Sequence, residues 1–210
     1  MLRDYKIYYN DSYVLISCDE AQRNKKFDKV ISDPHEVHNF LARPNQLFDS
    51  SSNETILLFH PKPGEEMCNF MDHTDLIIAG GGIVFNENGE VLLIHRRGKW
   101  DLPKGKIEIH ECIADGARRE VVEETGVKID TIRRPPITTY HAYKLKGKNC
   151  LKQTEWYLMK AKPGQTNLVP QTEEDIEKVE WVKPENLQTY KDGAYPLIRD
   201  LLHDNVRWNV

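Results

Sequence analysis

The sequence predicts an α/β protein in which a mixed sheet lies between helical layers, preceded by a small α/β segment. Two observations lead there. From Leu76 onward, short apolar runs separated by Gly- and Asn-bearing turns read as strands. Two stretches, near 111–125 and 195–205, break that rhythm with helical spacing, and strands interleaved with helices favour a covered, layered sheet.

Taken in order, residues 6–17 alternate enough to form two short strands that turn at Asn10-Asp11-Ser12. A polar, lysine-bearing stretch runs to Lys29. Asp33-Pro34 then opens a helix through Glu36, Val37, Phe40 and Leu41, with Asp33 as cap and Pro34 at its first position. Residues 49–53 (DSSSN) form a loop, 55–60 (TILLFH) a buried strand, and Pro61-Lys62-Pro63-Gly64 a turn. The domain boundary comes next, giving an extension over 1–74 and a main domain over 75–210. The extension carries no motif that rises above structure; dimerisation, covering a site and extending the sheet all stay open. His35 and His38 in HEVH lack the i, i+4 spacing of a helical zinc motif, so capping or surface roles are expected.

In the main domain, 76–85 is a strand whose Gly80-Gly81-Gly82 implies a bulge or a close backbone approach. Asn88-Gly89 is a hairpin turn, and 91–96 (VLLIHR) the returning strand. A loop over 98–110 leads to a helix over 111–125 with Ala114, Ala117 and Val121 as its buried stripe. Strands at 127–132, 137–143, 154–161 and 179–182 and an amphipathic helix at 195–205 complete the chain.

A chain of 210 residues can bury a proper core as one domain with additions. The formal net charge of −4 is concentrated early: 1–74 hold 8 Lys+Arg against 12 Asp+Glu, whereas 75–210 balance at 21 of each. A broad basic track for long nucleic acid is therefore not expected, although a small basic pocket is compatible. Cys18, Cys68, Cys112 and Cys150 form no CxxC pair, which disfavours structural zinc and a disulfide framework. No apolar stretch approaches membrane-spanning length, and the start lacks a signal-peptide core, so a cytoplasmic protein is expected.

The most informative run is GKIEIHECIADGARREVVEETGV, from Gly105 to Val127. Glu120, Glu123 and Glu124, spaced three and four apart, share roughly 100° of one helix face and repel each other. They also crowd the turns before Gly126, where the helix dipole disfavours anions. Each effect is worth a few tenths to about 1 kcal/mol, and together they call for a positive partner. A solvated acidic face is the ordinary alternative.

The full run, Gly105, Glu111, then Arg119-Glu120-Val121-x-Glu123-Glu124-x-Gly126-Val127, resembles the Nudix box at every defined position. The resemblance to Nudix hydrolases covers about Asp75 to the C-terminus. It implies an α/β/α sandwich and hydrolysis of a pyrophosphate bond with Mg²⁺, or Mn²⁺ as substitute. It also implies that Glu120, Glu123 and Glu124, with the Gly105 carbonyl, hold the metal, that Glu120 and Glu123 serve catalysis, and that Arg119 orients a neighbouring glutamate. The general base in such enzymes is a box glutamate or one on a late loop; Gln171-Thr172-Glu173-Glu174-Asp175 offers Glu174. Glu111 reads equally as a helix-starting charge or as part of the metal site.

Arg96, Arg97, Lys99, Lys104 and Lys106 flank the loop before the helix and are candidates for holding polyphosphate. Trp100-Asp101-Leu102-Pro103-Lys104-Gly105 resembles the W-x-L-P-K-G segment of Nudix enzymes acting on dinucleoside polyphosphates and diphosphoinositol polyphosphates. Tyr143 is a candidate for substrate stacking, with strand core as the alternative. These comparisons rank dinucleoside polyphosphate first, diphosphoinositol polyphosphate second and ADP-ribose or another nucleotide sugar third. A non-catalytic nucleotide-sensing module of the same fold is the competing class.

Overall fold

Asn10, in the left-handed region at φ 47°, turns the chain between β1 (Tyr5–Tyr9) and β2 (Ser12–Ser17), as the sequence leads one to expect. The computed structural model describes residues 4–48, 53–133 and 135–205; most of the expected 49–53 loop lies outside them. The next elements are α1 (Glu20–Arg23), β3 (Lys29–Ile31), α2 (Pro34–Leu41), α3 (Asn45–Phe48), β4 (Ile56–Phe59) and α4 (Pro63–Asp72). Then come β5 (Asp75–Phe85), β6 (Val91–Arg96), β7 (Lys99–Asp101), β8 (Lys104–Lys106), α5 (Ile113–Thr125) and β9 (Ile129–Ile132). The chain closes with β10 (Ile137–Leu145), β11 (Lys148–Ala161), β12 (Ile176–Val182), α6 (Leu187–Asp192) and α7 (Pro196–Asn205).

Contacts divide the chain into two compact units. The first comprises residues up to Ile77 together with Thr139–Gln153; the second comprises Ile78–Thr138 and Thr154 onward. In the first, strands order as β10-β1-β2-β4-β3, with β1–β2 antiparallel and β1–β10, β2–β4 and β3–β4 parallel. Alternation along β1 and β2 sends Ile7, Tyr9, Val14 and Ile16 inward, where they pack with Val37 and Leu41 of α2 and Met67 and Phe70 of α4. The Asp33 carboxylate accepts the Glu36 N–H, capping α2 as the sequence suggests, with Pro34 in the first turn. Pro61–Gly64 is more than a turn: Pro63 starts α4, because a proline at the first helical position loses no bond that the helix could make. His38 lies 3.4 Å from the buried Glu66 carboxylate.

In the second unit, β12-β6-β5-β11 form the central sheet, and β7, β8 and β9 pair with β6, β5 and β11. One face carries Val84, Leu92, Ile94 and Met159 against Ala114, Ala117 and Val121 of α5. The other carries Ile83, Phe85, Leu93 and Trp156 against Leu187 of α6 and Ile198, Leu201 and Leu202 of α7. This is an α/β/α sandwich. The glycine run works by close approach. A methyl on Gly80 or Gly82 would lie 3.0 Å from Ala117 Cβ or 2.8 Å from Val121 Cγ2, and one on Gly81 would lie 2.7 Å from the Pro103 carbonyl. The expected 98–110 loop contains β7 and β8, each only three residues long and so hidden from periodicity. No helix among the described residues is long and apolar enough to cross a membrane.

Candidate active site

The acidic face of α5 is anchored by Arg119. Its guanidinium meets Glu111 with a fork, Nε to Oε1 and Nη2 to Oε2, both at 2.9 Å. Nη1 donates to Glu120 Oε1 at 2.8 Å and to Glu123 Oε2 at 2.7 Å, and Nη2 also reaches the Lys106 carbonyl at 3.2 Å. One cation thus answers three acids, which is how the chain offsets the repulsion written into the helix. The hydrogen bonds from Arg119 and from the Glu108 N–H bring the Glu111 pKa down to about 2, and the same fork raises that of Arg119.

Glu111 therefore does not start the helix. Cys112 is the N-cap, and Glu111 lies one residue earlier with its carboxylate turned back along the helix toward Arg119. Gly116 makes room for it, since a Cβ there would lie 2.7 Å from Glu111 Oε2.

Gly105 performs the same service for Glu120, whose Oε2 lies 1.9 Å from where a Gly105 Cβ would be. Glu120 is 7% exposed, and burial raises its pKa against the pull of Arg119. Glu124 is fully buried. Its Oε2 accepts the Lys104 backbone N–H at 2.8 Å, while Oε1 has no hydrogen-bond partner; Arg96 Nη1 lies 3.9 Å away. Burial outweighs the Lys104 contributions and lifts the Glu124 pKa to about 7.

The basic residues separate into different roles. The Lys104 ammonium is paired with Asp101 Oδ2 at 2.5 Å; burial works against its charge, but Asp101 and Glu124 prevail and its pKa rises. Arg96 stands between Glu124 and Glu174, with Nη2 3.4 Å from Glu174 Oε2. Arg97 pairs with Asp175, and Lys106 is exposed. Tyr143 belongs to the 139–153 hairpin of the first unit, where its ring tilts against His141 and burial raises its pKa. So Arg96, Lys104, Gly105, Arg119, Glu120, Glu123, Glu124 and Glu174 form one connected neighbourhood.

Among the described residues no three acidic, His or Cys side chains converge into a ready metal cage. The donor set still fits a hard divalent cation. All its donors are oxygens, the Glu120 carboxylate lies against a bare backbone at Gly105, and a buried Glu124 oxygen lacks a hydrogen-bond partner. Sequence reasoning missed Asp101, whose one signal was its i, i+3 spacing to Lys104 across Pro103. It also missed the Arg96–Glu174 approach, which joins residues far apart in the chain.

Fold and site define an α/β/α domain with a carboxylate-rich helix face. The chain belongs to the Nudix family: the NUDIX domain model matches residues 76–201. It is 31% identical over 142 residues to the m7GpppN-mRNA hydrolase dcap-2 of Caenorhabditis elegans, covering 63% of this chain and 17% of that one. It is 36% identical over 95 residues to Nudix hydrolase 8 of Arabidopsis thaliana (42% and 25%). With a putative 8-oxo-dGTP diphosphatase of Bacillus subtilis it shares 39% over 61 residues (25% and 41%). The matched regions thus span less than half the length of each of these relatives. Among solved structures, a MutT protein from Bacillus halodurans aligns with TM-score 0.49 at 22% identity, covering 63% of this chain and 83% of that one. A C. elegans Ap4A hydrolase aligns at 0.46 and 20%, covering 60% and 93%.

Proposed function

We propose that this protein hydrolyses a pyrophosphate bond in a nucleoside-diphosphate derivative, using Mg²⁺ (or Mn²⁺) held by Glu120, Glu123, Glu124 and the Gly105 carbonyl. The observation that carries this reading is the buried, half-partnered Glu124 beside Glu120, on a helix whose Glu120 and Glu123 are tied to Arg119. A cation bound there would supply Lewis-acid stabilisation of phosphoryl charge and activation of a water.

The chain's own groups do the rest. Arg119 fixes the Glu120 and Glu123 carboxylates, and the Lys104 N–H fixes Glu124, so the oxygens are positioned before substrate arrives. Glu174 is the candidate general base. Arg96 and Lys106 are the cations best placed to meet phosphate, while the Lys104 charge is balanced by its pair with Asp101.

Dinucleoside polyphosphate is the first substrate class, ahead of diphosphoinositol polyphosphate and ADP-ribose-like nucleotide sugars. The relative named for m7GpppN-mRNA favours including the cap within that first class, since m7GpppN is two nucleosides joined by a triphosphate. A panel of these compounds, capped RNA included, incubated with Mg²⁺ in ¹⁸O-water and followed by mass spectrometry reports the substrate and the attacked phosphorus together. Absence of turnover across the panel, with tight nucleotide binding retained, would overturn the enzyme reading in favour of a sensor. Four cysteines without disulfides suit the reducing cytoplasm. Sedimentation velocity tests for a homodimer.

A further inference from the structure

Two consecutive arginines, Arg96 and Arg97, face two consecutive acids, Glu174 and Asp175, across the second unit. β6 and β7 pair in the register Ile94↔Asp101, His95↔Trp100 and Arg96↔Lys99, leaving Arg97-Gly98 as a two-residue turn. Both turn residues have positive φ, 53° and 75°, as a type I′ turn requires. Its first position suits Asn, Asp or Gly, and a long side chain there costs about 1 kcal/mol. The turn gains nothing from arginine. The gain lies in Arg97 Nε and Nη2, each 3.0 Å from Asp175 Oδ2.

Asp175 is itself left-handed at φ 60° and closes the 3-10 turn Thr172–Glu174, its N–H bonded to the Thr172 carbonyl. The segment's other end is tied to α5: Val169 N–H donates to the Thr125 carbonyl at 2.9 Å and Gln171 N–H to the Glu124 carbonyl at 3.3 Å. Between these anchors Glu174 has Arg96 at 3.4 Å, and its charge acts on both Glu120 and Glu124. We propose that the Arg97–Asp175 pair is a latch that positions Glu174 at the carboxylate face of α5, making Arg97 a positioning residue rather than a phosphate contact. This rests on the reading of Glu174 as general base.

The pair is well exposed, 65% and 60% by side chain, so it adds only about 0–1 kcal/mol to stability. Its loss should loosen the segment without unfolding the protein. The test combines hydrogen-exchange mass spectrometry of residues 171–175 with steady-state kinetics on the best panel substrate. The variants are Arg97→Ala, Asp175→Ala, both together, and the swapped pair Arg97→Asp with Asp175→Arg. Each single variant is expected to speed exchange in the segment several-fold and to lower kcat about tenfold or more, with KM within about twofold. The double variant should be no worse than either single one, and the swap should recover both readouts.

Unchanged exchange in Arg97→Ala and Asp175→Ala overturns the latch. So does a raised KM confined to Arg97→Ala with Asp175→Ala normal, which marks a direct phosphate contact. Glu174→Gln separates the two readings: normal exchange with lost turnover supports Glu174 as the group being positioned. Full turnover in Glu174→Gln removes Glu174 as base and with it the catalytic purpose of the latch, while the exchange data still report whether the latch holds the segment.

Discussion

Arg119 and Glu111 are joined by two parallel hydrogen bonds of 2.9 Å, and the same guanidinium holds Glu120 and Glu123 through its remaining nitrogen. Lysine carries the same charge but offers no planar fork. Arg119→Lys is expected to lower Mg²⁺ affinity and kcat by about 10- to 100-fold, as for other groups that orient ligands. Isothermal titration with Mg²⁺ and initial rates would check this; wild-type values would show that the fork is dispensable.

Gly105→Ala tests the cradle for Glu120. With the added carbon 1.9 Å from Glu120 Oε2, the carboxylate must move. Divalent-ion affinity and turnover are both expected to fall by at least tenfold, the scale seen when a ligand's support is lost. A circular-dichroism spectrum that stays native would assign the loss to the site rather than to the fold.

Gly81→Ala tests the neighbouring strand β5, which pairs with the strand that carries Gly105. Its Cβ would meet Lys104 Cβ and the Pro103 carbonyl at 2.7 Å and Trp156 at 2.8 Å. Overpacking of this kind costs about 1–3 kcal/mol. Chemical denaturation should show that loss in the midpoint without a change in slope.

Glu124 predicts a pH dependence of stability in metal-free protein. Its folded pKa of about 7 lies above the ordinary 4.5, so the folded state holds the proton more tightly. The associated stability is fully present below about pH 4.5 and is lost as pH rises through 7, a total of about 3 kcal/mol. Glu124→Gln should flatten that part of the profile in urea titrations at pH 5.5 and 8. An equal slope in both proteins would place the titration elsewhere.

Much of the site was legible because its chemistry lies within one helix and the strand before it. Arg119, Glu120, Glu123 and Glu124 share a face by helical geometry alone, and Ala114, Ala117 and Val121 are the buried stripe their spacing implies. The hidden part is long-range. Nothing local tells that Glu111 turns back to Arg119, that the Lys104 N–H goes to Glu124, or that Arg97 finds Asp175. In the fold, α2 and the β1–β2 turn were readable from Asp33-Pro34 and Asn10, which act locally. The strands β3, β7 and β8, three residues each, are too short for periodicity and exist because neighbours pair with them. Pro63 has the look of a breaker and is a helix starter; a proline's own chemistry allows both, and the helix-forming run Glu65–Asp72 decides between them.

The bare backbone at Gly80 and Gly82 has a consequence for how this domain could diverge. Ala117 and Val121 of α5 meet main chain at Gly80 and Gly82, and at those two points the height of the helix above the sheet is set by peptide geometry, which has no rotamers to adjust. Repacking elsewhere in that layer can change stability, but it gives little means of raising or lowering the acidic face. New specificities on this scaffold would have to arise in the loops around the helix, with the helix itself as a fixed datum.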